Sequence, residues 1–286
     1  MTEKIRNIRR TVSRPRFLVG VLLAGVPLLI AGLGPLVAGH GARGPAFAQG
    51  EDWFLGTDSE GRDVLNQLLL GGRSLVLVAT AAVVLTYLIA VPWGAAAATS
   101  QRRAVDEALM RPLDLLLSLP SMMLLLLIVA LTEANAFVLA VTVAVLQFPD
   151  ATRLVRGSAL DCAHTPAMEA LRLQRETWWR RNIGYLGRTL LPVLAADAGL
   201  RFVGAIYLVA SASFLGLTAD PSGTDWAVMI DRNRSGIALV PWGVVVPAVM
   251  IIALAMGVNL LFDAGARAAT HNTSVPTQPK RDGTRG

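Results

Sequence analysis

Asp197 and Arg201 lie four residues apart inside a stretch, 192–217, that otherwise holds no charge. Ionisable groups within an apolar span are costly and are functional candidates by default. Acid before base at this spacing is also the favourable order for a pair along one helix. The two can therefore pin a helix by a local salt bridge, or line a solute path or inner gate. A second cluster, Asp58, Glu60, Arg62 and Asp63, is dense enough to bind a partner and equally able to cap the amphipathic run 64–70 behind it. The third is Glu169, Ala170, Leu171 and Arg172, with Arg175 and Trp178 beyond. Its apolar and basic residues alternate as in a short amphipathic helical pair. A surface of that kind docks a partner or lies on anionic lipid.

Other chemistries find no seat. Only Lys4 and Lys280 are lysines, and neither follows a glycine-rich loop, so no phosphate loop with its lysine can be drawn. Cys162 is the single cysteine, and His40, His164 and His271 are too far apart in sequence for ligand spacing. Met122 and Met123 sit in a leucine-rich run, where packing rather than soft-metal binding is the ordinary role. The chain is not expected to be an enzyme or to bind a cofactor.

The elements that must position these residues are membrane spans. Of the 286 residues 53% are hydrophobic and 16% charged, too apolar for a soluble surface. Six runs approach or exceed the ~20 residues that cross a ~30 Å hydrocarbon core: 17–38, 75–98, 113–131, 136–148, 192–217 and 240–262. The first exceeds the ~7–15 residues of a secretory apolar core, so it reads as a helix and not as a leader cut after Ala46-Phe47-Ala48. The fourth is the weakest, because Gln147, Pro149 and Asp150 close its apolar core after 13 residues. Pro92, Pro120 and Pro247 should bend spans two, three and six.

With the N-terminus inside, segments assigned to the inside hold 20 of the 26 basic residues, and those outside hold five. That bias is the positive-inside rule. It accounts for the net charge of +6 without a nucleic-acid partner. The organisation is then a basic cytoplasmic start (1–16), a transmembrane region (17–270) and a polar tail (271–286) expected to be disordered. Loops 39–74 and 218–239 lie outside, and the long segment 150–191 lies inside. Loops of that length usually carry function.

Residues 53–74, reading Trp-Phe-Leu-Gly-Thr-Asp-Ser-Glu-Gly-Arg-Asp-Val-Leu-Asn-Gln-Leu-Leu-Leu-Gly-Gly-Arg-Ser, resemble the outer-loop signature of a known family. It comprises the inner-membrane permease subunits of ABC importers in the dipeptide, oligopeptide and nickel branch, here of the second-permease type. Four further pieces follow in the same order. They are Met110-Arg111-Pro112-Leu113-Asp114 through Pro120-Ser121, then Arg153-Leu154-Val155-Arg156-Gly157, then Ser213-Phe214-Leu215-Gly216-Leu217 with Trp226, and Asn259-Leu260-Leu261 with Asp263, Gly265 and Arg267. The resemblance covers roughly residues 17–270.

It implies an all-α polytopic protein of six transmembrane helices with the type I importer permease fold, in a bacterial plasma membrane with both termini cytoplasmic. It also implies a homologous second permease, two ATPase subunits holding ATP and Mg²⁺, and an extracytoplasmic substrate-binding protein, all set in membrane lipid. The loop bearing Asp58, Glu60, Arg62 and Asp63 would face that binding protein. Glu169, Ala170, Leu171 and Arg172, then Arg175 and Trp178, would form the coupling helix seated in an ATPase cleft. Asp114 would steady the start of span three. The chain departs from the family at Arg175, where a glycine is expected, at Gly187-Arg188 in place of Leu-Pro, and at Val209 in place of glutamate. Small peptides are the implied cargo, with nickel or another chelated metal as the alternative. An ion-coupled carrier would rest on Asp197 alone, and a membrane scaffold with no transport role is the remaining alternative.

Overall fold

The computed structural model describes residues 15–39, 43–51, 53–100, 102–132, 135–163, 165–217 and 224–271, with side chains to residue 265. Nearly all of the expected cytoplasmic start and polar tail lies outside these residues. Within them the chain is helical, with two isolated β-bridges, Gly50 to Trp53 and Thr57 to Asp63, and no strand. Five helices are long and apolar enough to cross a membrane, and a bent pair supplies a sixth crossing if counted as one span.

Helix α1, Pro15–Val37, buries Gly20, Ala24, Pro27, Ala31 and Gly34 along one face, while Leu18, Leu22, Leu29, Leu33 and Leu36 point outward. Lipid chains are as apolar as leucine, so helices associate through close approach of small residues. A Cβ at Gly34 would lie 2.2 Å from the Leu69 carbonyl oxygen of the following helix, and one at Gly257 of the last helix would lie 2.2 Å from the Ala24 nitrogen. These contacts hold α1 to the rest of the bundle.

Helix α2 runs over Val64–Thr99, so residues 64–74 of the segment expected outside are helical. Asp63 caps it by accepting from the Leu65 N–H at 3.0 Å. Span three is broken. Arg103–Leu117 (α3) and Ser121–Leu131 (α4) meet at 84° across Pro120, and α4 alone is too short to cross. Pro92 and Pro247, by contrast, lie inside unbroken helices.

The fourth span is corrected most. Helix α5 covers Ala136–Ala163 and continues through Gln147, Pro149 and Asp150. It is the most enclosed of the spans, and its contact with α2 is the most extensive in the bundle. Enclosure explains why polar residues do not end it: neighbouring helices supply the partners that lipid cannot. The segment 150–191, in which a short amphipathic helical pair was expected, is largely helical. It comprises the end of α5, then α6 (Pro166–Leu173), a π-helical turn (Arg180–Leu186) and the start of α7 (Gly187–Phe214). Helix α8 (Trp226–Asn233), a 3₁₀ turn (Arg234–Gly236) and α9 (Trp242–His271) complete the described residues.

Loop 43–63 and the segment around α8 interlock at one end. Trp226 is fully buried, donates to the Leu68 carbonyl at 2.8 Å, and lies across Gly71 and Gly72. A Cβ on Gly72 would sit 2.3 Å from its ring. Gly72→Ala should therefore destabilise the detergent-solubilised protein by about 1–3 kcal/mol through overpacking. Gly25→Ala, whose Cβ would meet open space, should not. Thermal unfolding of the two variants checks this.

Candidate functional site

Glu169, Ala170, Leu171 and Arg172 all fall on α6, at the opposite end of the bundle from the Trp53 loop. Thr165 precedes the helix and Pro166 opens it, supplying a φ already suited to a first turn. One side of α6 is anchored. Met168 is buried with Ala95, Ala98, Val155, Ala159, Leu186 and Leu190, a small core distinct from the main one. The other side is open, with Glu169, Ala170 and Leu173 exposed and Leu171 and Arg172 half-buried. The anchor draws on α2, α5, α7 and the π turn, so α6 is fixed to its stems while its far face carries one carboxylate among apolar atoms.

Arg175 takes φ +53°, the left-handed region that favours glycine. The Glu176 N–H reaches the Leu171 carbonyl at 3.1 Å and the Arg175 N–H reaches Arg172 at 3.0 Å. That pair of bonds is the standard left-handed close of a helix. Of the two outcomes left open by an arginine here, a continued helix or a strained turn, the structure has the turn. Trp178 stands edge-on to Trp179 at 4.9 Å, and Trp179 is largely exposed. A cavity of about 230 Å³ lies behind α6, lined in part by Trp178, Arg172, Arg181 and Asn182. Asn182 ties the π turn to α2 by donating to the Thr99 hydroxyl at 3.2 Å.

The cluster in the other loop is closed on itself. Asp58 is 2% exposed and accepts from the N–H groups of Glu60 and Arg62 and from Arg62 Nε, all within 2.8 Å. Asp63 is spent as the α2 cap. Gly61, at φ +75°, turns the chain where a Cβ would strike the Gly44 carbonyl. Three of the four candidates thus build the loop. Glu60 remains half exposed, 3.4 Å from both Arg62 and Arg232. Phe54, 86% exposed on the same loop, was missed in the sequence because an isolated aromatic carries no spacing signal.

Asp197 and Arg201 do pair, at 2.9 Å, and are largely buried. They are not alone. The Tyr87 hydroxyl of α2 donates to Asp197 at 2.7 Å, Arg201 lies 3.8 Å from Asp150 of α5, and the Gln147 amide donates to the Arg201 carbonyl at 3.1 Å. A second set joins α3 to α5. Asp106 accepts from Arg156 Nε at 2.6 Å and Asp114 pairs with Arg153, while Glu107 bridges Arg103 and Arg111 within α3 itself. Asp114 lies in the last turns of α3 and reaches across to α5; it does not start a helix. Two of the motif pieces that lie far apart in sequence are thereby brought into contact. Val209 is fully buried in the main core, so the chain has an apolar side chain where the family places an acid.

Residues 90–271 match the family model described as the binding-protein-dependent transport system inner membrane component. The chain belongs to that family. It is 29% identical to the di/tripeptide transport system permease protein of Pseudomonas aeruginosa, across 77% of this chain and 73% of that one. It is 30% identical to the glutathione transport system permease protein of Pectobacterium atrosepticum, across 77% and 71%. As a member of this permease family, and with five to six apolar helices long enough to cross, it is a multi-pass membrane protein.

Two outcomes follow. Arg175→Gly should relieve the left-handed residue and stabilise the protein by about 1 kcal/mol, read as a raised unfolding temperature. Arg201→Leu should strand the buried Asp197 and destabilise by about 3–5 kcal/mol. The double replacement Asp197→Leu with Arg201→Leu should recover most of that loss, and a thermal double-mutant cycle measures it.

Proposed function

We propose that this chain is half of the membrane pathway of an ATP-driven importer of small peptides, and that α6 is where the driving subunits dock. The observation that carries the reading is the form of α6. It is a short helix, fixed through Met168 to a core shared by three spans, with Glu169, Ala170 and Leu173 left open. A docking helix must be rigid toward its own spans and free toward its partner. Displacing such a helix would move α5 and α7 with it, because the segment joins them directly.

Family membership supports two ATPase subunits, a homologous second permease and an extracytoplasmic binding protein as partners. ATP and Mg²⁺ would then be held by the ATPases, and this chain would supply no catalytic group. The excess of basic residues on the α6 side supports a cytoplasmic position for that end in the bacterial plasma membrane, with both termini cytoplasmic. The interlocked loops would then face the binding protein, with Glu60 and Phe54 its exposed contacts. The cargo reading rests on the relatives, whose names specify di- and tripeptides and glutathione.

Deleting residues 167–174 should abolish peptide uptake while the spans still insert, and Glu169→Arg should impair copurification of the ATPases in mild detergent. Normal uptake after the deletion would overturn the docking assignment.

A further inference from the structure

Asp150 poses a problem of solvation. It lies near the middle of α5, 13 residues from Ala163 and 14 from Ala136. At 1.5 Å per residue the 28-residue helix is about 42 Å long, some 12 Å more than the hydrocarbon thickness. With Ala136 at the edge of the apolar layer, an upright helix and all that excess beyond the Ala163 end, Asp150 would lie about 8 Å inside it. Its side chain is nevertheless 56% exposed, and its nearest cation, Arg201, is 3.8 Å away. A carboxylate facing lipid is unfavourable, by about 3 kcal/mol or more at the centre of the layer. Its exposed side must therefore meet water or another protein.

The surroundings favour water. Asp150, Arg153, Gly157 and Asp161 recur at helical spacing along the exposed side of α5. Arg153 is half exposed and pairs with an equally exposed Asp114. One turn further, this polar stripe enters a recess of about 570 Å³ lined by the charged residues of α3 with Arg153 and Arg156. At its deep end, the Gln147 side-chain oxygen is buried and meets no donor among the described residues. Along the route five guanidiniums (Arg103, Arg111, Arg153, Arg156, Arg201) face six carboxylates (Asp106, Glu107, Asp114, Asp150, Asp161, Asp197). Signs alternate and nearly cancel. Such a wall is hydrated, and it neither repels nor traps a solute of one sign.

We propose that this stripe, from Asp150 and Arg201 to the recess beside Arg156, is the water-exposed wall of the passage at the α6 end, suited to zwitterionic solutes such as short peptides with free termini. This rests on the importer reading above. The wall begins at Asp150, the deepest exposed charge, and leads toward the side where α6 docks.

The test uses the assembled complex in membranes, on a Cys162→Ser background that removes this chain's one native thiol, with labelling read on this chain alone. Asp150→Cys and Gly157→Cys should react with a charged, water-soluble methanethiosulfonate reagent at least tenfold faster than Leu29→Cys on the outer face of α1. A Cβ at Gly157 meets open space, so that variant folds even if Asp150→Cys does not. Asp150→Lys should lower uptake of a free dipeptide at least tenfold, and Asp150→Glu should keep it within twofold. Thiols at 150 and 157 as slow as at 29 would overturn the proposal. So would reaction at 150 only after removal of the second permease, which would make this a subunit interface. Equal uptake by the Lys and Glu variants would sink the solute assignment. Copurification of ATPases with the unmodified chain reports separately on the importer reading.

Discussion

The close approach of α2 and α5 is the contact on which the other helices depend. Both helices meet through small residues: Ala79, Ala82, Ala90, Gly94 and Ala95 on one, Ala140, Ala144, Ala151, Thr152 and Ala159 on the other, all buried. A Cβ on Gly94 would come within 2.8 Å of the Thr152 carbonyl. The Thr86 hydroxyl, bonded to Ala82 one turn back at 2.8 Å, also lies 3.4 Å from the Ala144 carbonyl of α5. Without a hydrophobic force between helices in lipid, such contact is what holds them together. From it follow the enclosure of α5, its passage through Pro149, and a firm stem for α6.

Charge is placed around that pair under one rule. Where α5 meets α7 it is buried and paired, as with Asp197 and Arg201; where it meets α3 it is paired and partly exposed, as with Asp106 and Arg156. Buried pairs of this kind are poor evidence of net stabilisation, since desolvation offsets much of their attraction. Their consequence is geometric. The contacts of Arg201 with Asp150 and Gln147, and of Arg156 with Asp106, tie α5 to its neighbours at fixed heights, and α5 leads directly into α6. The same groups that set the heights of these helices also leave a polar face that lipid could not cover.

The two ends of the molecule are built differently. At the Trp53 end, backbone turns at Gly56 and Gly61 and the buried Trp226 knit two loops into a platform. Asp58 and Asp63 act there as turn and cap, so their density in sequence reflects how sharply the chain bends. At the other end, α6, the π turn and the paired tryptophans project from a small core, with apolar and basic groups left open. A platform receives something, whereas a projecting helix enters something, and that asymmetry matches the two classes of partner proposed.

What the sequence determined alone was what depends on composition and local spacing: a membrane chain, the positions of the apolar runs, the charge bias between the sides, the Asp197–Arg201 pair and the motif order that marks the family. The left-handed turn at Arg175 was legible as one of two outcomes, because an arginine in a glycine position leaves few alternatives. The tertiary structure decided the rest. Only packing against α2 carries α5 past Gln147 and Asp150, since local propensity cannot anticipate partners supplied by distant helices. Only the 84° break at Pro120 turns α3 across α5, which brings Asp106 to Arg156 and Asp114 to Arg153 over some forty to fifty residues of sequence. A carboxylate at position 150 reads locally as the end of a span; the fold instead carries α5 on to Ala163, because the extent of an enclosed helix is set by its neighbours and not by its own sequence alone.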